Sequence, residues 1–230
     1  MIIKKIIIKK YNKKELKEKI FSKINKKDGI ISRIVEFSHL IEDIKNKQIT
    51  MSHPYLFEDE FENQYPIDKN LYISCFSYTV GKENAYAWWK LYGNKTKFRL
   101  TVKIEYFIDS IISILDKNSN EDIELYIGSL DYKDDISNNE NEWDFFDKRK
   151  DFNFETELRI MVKVNTPSDE KIKYVNGLPV LYKLNIGNMS IYKNMSVNHN
   201  DIIFHPYDKT LLCKDKEAML KIIKKNLNKK

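Results

Sequence analysis

Three short segments carry the side chains best suited to chemistry. Ile31-Ser32-Arg33 sets a guanidinium on an early apolar stretch, and Leu71 to Ser77 sets Ser74 and Ser77 on a middle one. Phe154-Glu155-Thr156-Glu157-Leu158-Arg159 sets two carboxylates two residues apart on a late one. From Phe152 to Val164 apolar and polar residues alternate, the period of a half-buried strand. Successive strand side chains point to opposite faces, so Glu155, Glu157 and Arg159 are expected to emerge together. Paired carboxylates can stabilise a cationic centre electrostatically, as in glycoside hydrolysis, and a planar guanidinium fork suits phosphates. The alternative is an ion-pair ladder on a solvated strand, with Arg33 paired to Glu36 or a loop acid and the serine hydroxyls satisfied within their strands.

Further candidates are thinner. Trp88, Trp89 and Tyr92 share one helical stretch and could stack against a flat ring, or belong to the core. Glu58, Asp59, Glu60 and Glu62 could serve a two-metal nuclease, although acidic loops are usually just solvated. His39, His53, His199 and His205 show no zinc-type spacing with one another or with a cysteine. No glycine-rich phosphate loop, dinucleotide fingerprint or nucleophile elbow occurs.

The elements that must position these residues follow from periodicity. Ile2 to Ile8 reads as a strand, and Asn12 caps a basic helix with Leu16, Ile20, Phe21 and Ile24 on one face, stopped by Asp28-Gly29. Ile30 to Phe37 reads as a strand. Ser38 is the expected N-cap of a helix carrying Leu40, Ile41 and Ile44, with Glu42-Asp43 favouring its dipole. Further strands are expected at Gln48 to Ser52, Leu71 to Tyr78, Lys97 to Val102, Leu125 to Tyr132, Val180 to Ile186 and Ile202 to His205. Helices are expected at Glu83 to Tyr92, Ile104 to Leu115 and Asp215 to Leu227, the last turning Met219, Ile222, Ile223 and Leu227 inward. Pro54 to Asn63 is an expected loop. Lys133 to Lys150 is an expected mobile loop, or one that lies over the acidic strand.

At 230 residues with 42% hydrophobic residues, the chain can bury one sizeable core. Six glycines and five prolines leave no flexible linker. The expected organisation is a basic N-terminal strand and helix over 1–29 and a single α+β domain over 30–230, a mixed and mostly antiparallel sheet with flanking helices. Cys75 and Cys213 are far apart and no secretory leader precedes them, so free thiols and a cytoplasmic location are expected. No window has the apolar length of a membrane span. The net charge of +6 gathers in Lys4 to Lys27 and Lys214 to Lys230, either as solvated helix faces or as a surface for nucleic acid.

The order of motifs resembles a bacterial family, domain of unknown function family 2971 (DUF2971). The resemblance rests on Ser52-His53-Pro54 through Glu62, Ser74-Cys75-Phe76-Ser77, Trp89 with Tyr92, and Lys148 through Arg159, and spans roughly residues 30 to 225. Where that family has an asparagine, a second proline and a tryptophan, this chain has Glu58, Glu60 and Phe152. More distantly, the three segments resemble the Arg, Ser and Glu-x-Glu signature of mono-ADP-ribosyltransferases, with Ser-Cys-Phe-Ser in place of Ser-Thr-Ser. That resemblance implies an ADP-ribosyltransferase-like fold and NAD as substrate. By the same resemblance Arg33 would hold the NAD phosphates, Ser74 or Ser77 would brace the nicotinamide ribose, and Glu157 would bind the ribose hydroxyl. Glu155 would orient a protein or nucleic-acid acceptor, while Trp89 or Tyr92 would stack on a ring. Such a chain would act as a toxin or phage-defence effector. The competing expectation is a non-catalytic module of a defence or toxin–antitoxin system, binding nucleic acid or protein through its basic termini.

Overall fold

A computed structural model describes residues 2–6, 29–59, 62–63, 70–78, 97–117, 123–134, 144–165, 169–186, 196–198, 218–219 and 221–228. The expected helices after Asn12 and over Glu83 to Tyr92, the strand at Ile202 to His205, Glu60 and Cys213 lie outside them. In chain order the elements are β1 (Ile2–Ile6), β2 (Ile30–Glu36), α1 (Phe37–Asn46), β3 (Gln48–Ser52), β4 (Leu71–Tyr78), β5 (Lys97–Lys103), α2 (Ile104–Lys117) and β6 (Ile123–Ser129). They continue with β7 (Asp131–Lys133), β8 (Asp147–Arg149), β9 (Glu157–Val164), β10 (Ile172–Val175), β11 (Leu178–Asn185) and β12 (Ser196–Asn198). The architecture is α+β: one curled sheet with the order β1-β6-β9-β4-β2-β5-β12, in which β3 also joins β4 to the β10–β11 hairpin. Every pairing in it among the described strands is antiparallel. No helix among the described residues is long and apolar enough to cross a membrane.

β9 lies between β6 and β4 and separates two packing layers. Leu158, Ile160, Val162 and Val164 face the main core, which also holds Phe107, Ile108 and Ile111 of α2. Met161 points the other way, into a smaller cluster with Ile73, Tyr126, Phe145 and Phe146. The alternation is therefore real, but the polar face is roofed by protein instead of solvated. An antiparallel sheet can leave one face to water, but here a packed layer lies on each face of β9 and ladder bonds occupy both its edges.

The edge of β4 opposite β9 is shared. It pairs with β3 at Ile73 and with β2 at Ser77 and Tyr78, so the sheet forks between β2 and β3. Arg33 spans that fork, its Nη2 donating to the Thr50 carbonyl at 2.8 Å.

Several expectations require correction. β9 begins at Glu157, and 150–155 is a 3-10 turn ended by Thr156 in the left-handed region (φ 43). The reason lies in the neighbours: the paired registers stop at Ser77↔Glu157 and Ser129↔Leu158, leaving earlier residues no ladder to extend. Tyr78 N–H and Thr156 Oγ1 then cross-tie the two chains where they diverge. α1 starts at Phe37 with Glu36 as its uncapped N-terminal residue, so Ser38 is not the cap and no acid lies in the first turn. Asp43 is instead buried, accepting from Thr50 N–H at 3.1 Å, Thr50 Oγ1 at 2.5 Å and Gln48 Nε2 at 3.3 Å. Leu125 to Tyr132 divides into β6 and β7 around buried Leu130. In the C-terminal helix Ile223 is buried and Met219 packs on the core, but Ile222 is exposed because it falls off the 219–223–227 stripe.

Of the expected loop at Lys133 to Lys150, residues 144–149 form a 3-10 turn and β8, which pairs in parallel with β7. Phe145 and Phe146 are fully buried and Lys148 nearly so. This part covers the acidic face of β9 as a packed layer.

Candidate functional site

Arg159 is the anchor of a buried charge network. Its apolar neighbours on β9 drive it toward the second layer, and the residues opposite it are Cys75 on β4 and Gly128 on β6, so no bulky side chain competes for the space. At 1% exposure it donates from Nε to Glu157 Oε1 at 2.7 Å and from Nη2 to Glu157 Oε2 at 3.1 Å. Nη1 donates to the Phe145 carbonyl at 2.7 Å and forms an ion pair with Glu62. The Phe57 ring lies 5.7 Å from the guanidinium carbon. Lys148, brought over the strand by β8, joins the two candidate carboxylates: Nζ is 2.5 Å from Glu155 Oε2 and 3.3 Å from Glu157 Oε2.

The electrostatics follow from burial and pairing. Burial alone would raise the Glu157 carboxyl, but Arg159 and Lys148 beside it outweigh that and hold it down at about 2. Burial would lower the Lys148 ammonium, yet Glu157, Glu62 and Glu155 raise it above its ordinary value. Burial, reinforced by the Glu157 charge, pushes the free Cys75 thiol well up, so it stays protonated and hydrogen-bonds to Glu157. A thiol held in that state is no nucleophile. Tyr132 accepts the Glu157 backbone N–H at 2.9 Å.

Beside the network opens a cavity of about 640 Å³. Its lining includes Arg33, Cys75, Arg149, Glu155, Glu157, Arg159, Phe57 and Phe152. Lys148 and Arg149 both approach the Phe152 ring, at 4.9 and 5.1 Å from its centroid. The acidic stretch after Pro54 contributes Glu58, Asp59 and Glu62 to the same lining, with Asp59 3.7 Å from Arg149. Asp59 and Glu62 are thus engaged by arginines. Among the described residues no group of three or more His, Cys, Asp or Glu side chains is placed to hold a metal ion.

The sequence candidates separate accordingly. Arg33, Glu155 and Glu157 line one cavity. Glu155 does not share a strand face with Glu157; it sits in the 3-10 turn, and the two carboxylates meet through Lys148. Ser77 Oγ donates to the Glu155 carbonyl at 2.5 Å and so braces that turn. Ser74 points away, its hydroxyl buried with no hydrogen-bond partner among the described residues. Residues three apart on a strand face opposite ways, so Ser74 and Ser77 could never share a site; Cys75, one residue on, has the right parity. Trp88, Trp89 and Tyr92 lie outside the described residues. Sequence reasoning missed Lys148, although it stands seven and nine residues before the two glutamates. It also missed Glu62 as the partner of Arg159, for which no local spacing gives a signal.

Comparisons of the chain with family models, with curated proteins and with solved structures found no match. What the fold and site define is a class: an α+β chain with a curled antiparallel sheet and a buried charge network on the wall of an open cavity.

Proposed function

We propose that the cavity binds NAD and that the chain is an ADP-ribosyltransferase-like enzyme acting on a protein or nucleic-acid acceptor. The observation that carries this reading is the meeting of Arg33, Glu155 and Glu157 on one cavity, from segments whose strands β2, β4 and β9 are neighbours in the sheet. A volume of about 640 Å³ lies within the ordinary range for small-molecule sites. Glu157 is ionised at any physiological pH, the state that stabilises the oxocarbenium-like centre formed when the nicotinamide bond of NAD breaks. In this scheme Arg33, which spends one of its five N–H donors on Thr50, turns others to the pyrophosphate. Ser77 fixes the Glu155 turn, and Glu155 faces the acceptor. The scheme requires the ribose to draw Glu157 from Lys148, the longest of its three contacts with the two cations.

One observation favours a second reading. Both carboxylates already meet buried cations, as they would in a non-catalytic module whose network only shapes the protein. Its contact surface would be the exposed Lys221, Lys224 and Lys225 of the 221–227 helix, facing nucleic acid or an acidic protein.

Incubation with NAD and chromatographic measurement of released nicotinamide separates the two. Slow release by the wild type, reduced on the order of a hundredfold in Glu157→Gln held well below its unfolding temperature, is the expected result. Equal release by both proteins, or none by either, removes the enzyme reading. Salt-sensitive nucleic-acid binding without NAD consumption then puts the binding module in its place.

A further inference from the structure

Phe57, Asp59 and Glu62 together behave as an internal ligand. They lay one ring and one carboxylate on Arg159 and a second carboxylate near Arg149, both cations of the cavity wall. The two ion pairs differ in kind. Arg159 and Glu62 are almost wholly buried, at 1% and 6% side-chain exposure. Arg149 is 34% exposed while Asp59 is 7% exposed, and the contact between them is long at 3.7 Å. A cation that is one-third open to solvent can meet an incoming anion, whereas one sealed inside cannot.

We propose that Arg149 is the entry anion site of the cavity, that its ligand carries a phosphate or pyrophosphate group, and that Asp59 competes with that group for the guanidinium. Arg149 is well placed for this. Its guanidinium carbon sits 5.1 Å from the centroid of Phe152, a flat apolar support that orients the fork without occupying its donors. Arg33 lines the same cavity, so a ligand with two phosphates can address two guanidinium groups from one volume. Sequence reasoning treated Glu58 to Glu62 as a solvated acidic loop or a metal site. In the fold Asp59 and Glu62 lie against Arg149 and Arg159, so these two carboxylates balance cations that a phosphate would seek. The inference shares with the proposed function the premise that the cavity is a ligand site, and does not depend on the cleavage chemistry.

The test is calorimetric titration of the full chain with inorganic pyrophosphate, and separately with ADP-ribose. Asp59→Asn removes the competitor with little change of shape and is expected to tighten binding about two- to fivefold, the range of a partly exposed ion pair. Arg149→Gln is expected to abolish pyrophosphate binding, and Arg149→Lys, which keeps the charge but not the fork, to recover it in part. Circular dichroism confirms that each variant is folded. No pyrophosphate binding by the wild type and Asp59→Asn, unchanged affinity in Asp59→Asn, or full affinity in Arg149→Gln overturns the proposal. Pyrophosphate binding that follows this pattern without nicotinamide release leaves the anion site standing and defeats only the enzyme reading. NAD consumption with unchanged affinities does the reverse.

Discussion

Replacing Glu157 with glutamine removes the charge at the centre of the network, and the structure sets the size of the effect. Holding the carboxyl at about 2, against 4.5 for an ordinary glutamate, corresponds to about 3 kcal/mol, since each pKa unit is worth about 1.4 kcal/mol. Because Glu157 is 3% exposed, solvent screening does not dilute that figure. It also agrees with the roughly 3–5 kcal/mol lost when one partner of a buried ion pair is deleted. Glutamine keeps one acceptor for Arg159, which places the expected loss near the lower end. For a chain of this size, about 3 kcal/mol lowers the unfolding midpoint by about 6–12 °C. The pH dependence has a definite sign. A carboxyl depressed in the folded state contributes its stability fully above the ordinary value of 4.5 and loses it as pH falls toward about 2. Urea unfolding of wild type and Glu157→Gln at pH 7 and at a series of pH values down to 2.5 measures both effects. The gap between the proteins should be widest at neutral pH and should shrink through the range below 4.5. An unchanged midpoint at pH 7, or a gap that does not vary with pH, refutes the argument that Arg159 and Lys148 depend on Glu157.

Other substitutions probe neighbouring parts of the same reasoning. Arg159→Met leaves Glu157, Glu62 and the Phe145 carbonyl without their shared donor and should cost about 3–5 kcal/mol in denaturant unfolding; a loss under about 1 kcal/mol contradicts the burial of the network. Ser77→Ala deletes the hydrogen bond to the Glu155 carbonyl and should cost about 1 kcal/mol, whereas Ser74→Ala removes a buried hydroxyl with no partner among the described residues and should be neutral or stabilising. The reverse ranking in thermal melts would show that β4 has its faces exchanged. Lys47 ends α1 in the left-handed region at φ 53, so Lys47→Gly should stabilise by about 0.5–1 kcal/mol, and a destabilised variant would speak against that geometry.

Local periodicity in the sequence was enough to locate most of the described elements that carry the site. Leu71 to Tyr78 and Gln48 to Ser52 are strands at their expected bounds, and the helix beginning at Ile104 runs only two residues past its expected end. Such signals are local: a strand face repeats every two residues and a helix stripe every three to four, and the chain need fold no further for them to be legible. The parity that puts Glu157 and Arg159 on one face of β9 belongs to the same kind. The beginning of β9 at Glu157 is of another kind, because a strand persists only while neighbours offer hydrogen bonds, and β4 and β6 run out there. Whether the polar face of β9 met water or protein was likewise decided elsewhere, by Phe145, Phe146 and Lys148 folding back over it from a stretch that reads as a loop. The pairing of Glu62 with Arg159, nearly a hundred positions apart in the numbering, had no trace in spacing. Charges choose partners by distance and burial in three dimensions, so a row of acids and bases in sequence names the candidates and only the packed chain assigns the pairs.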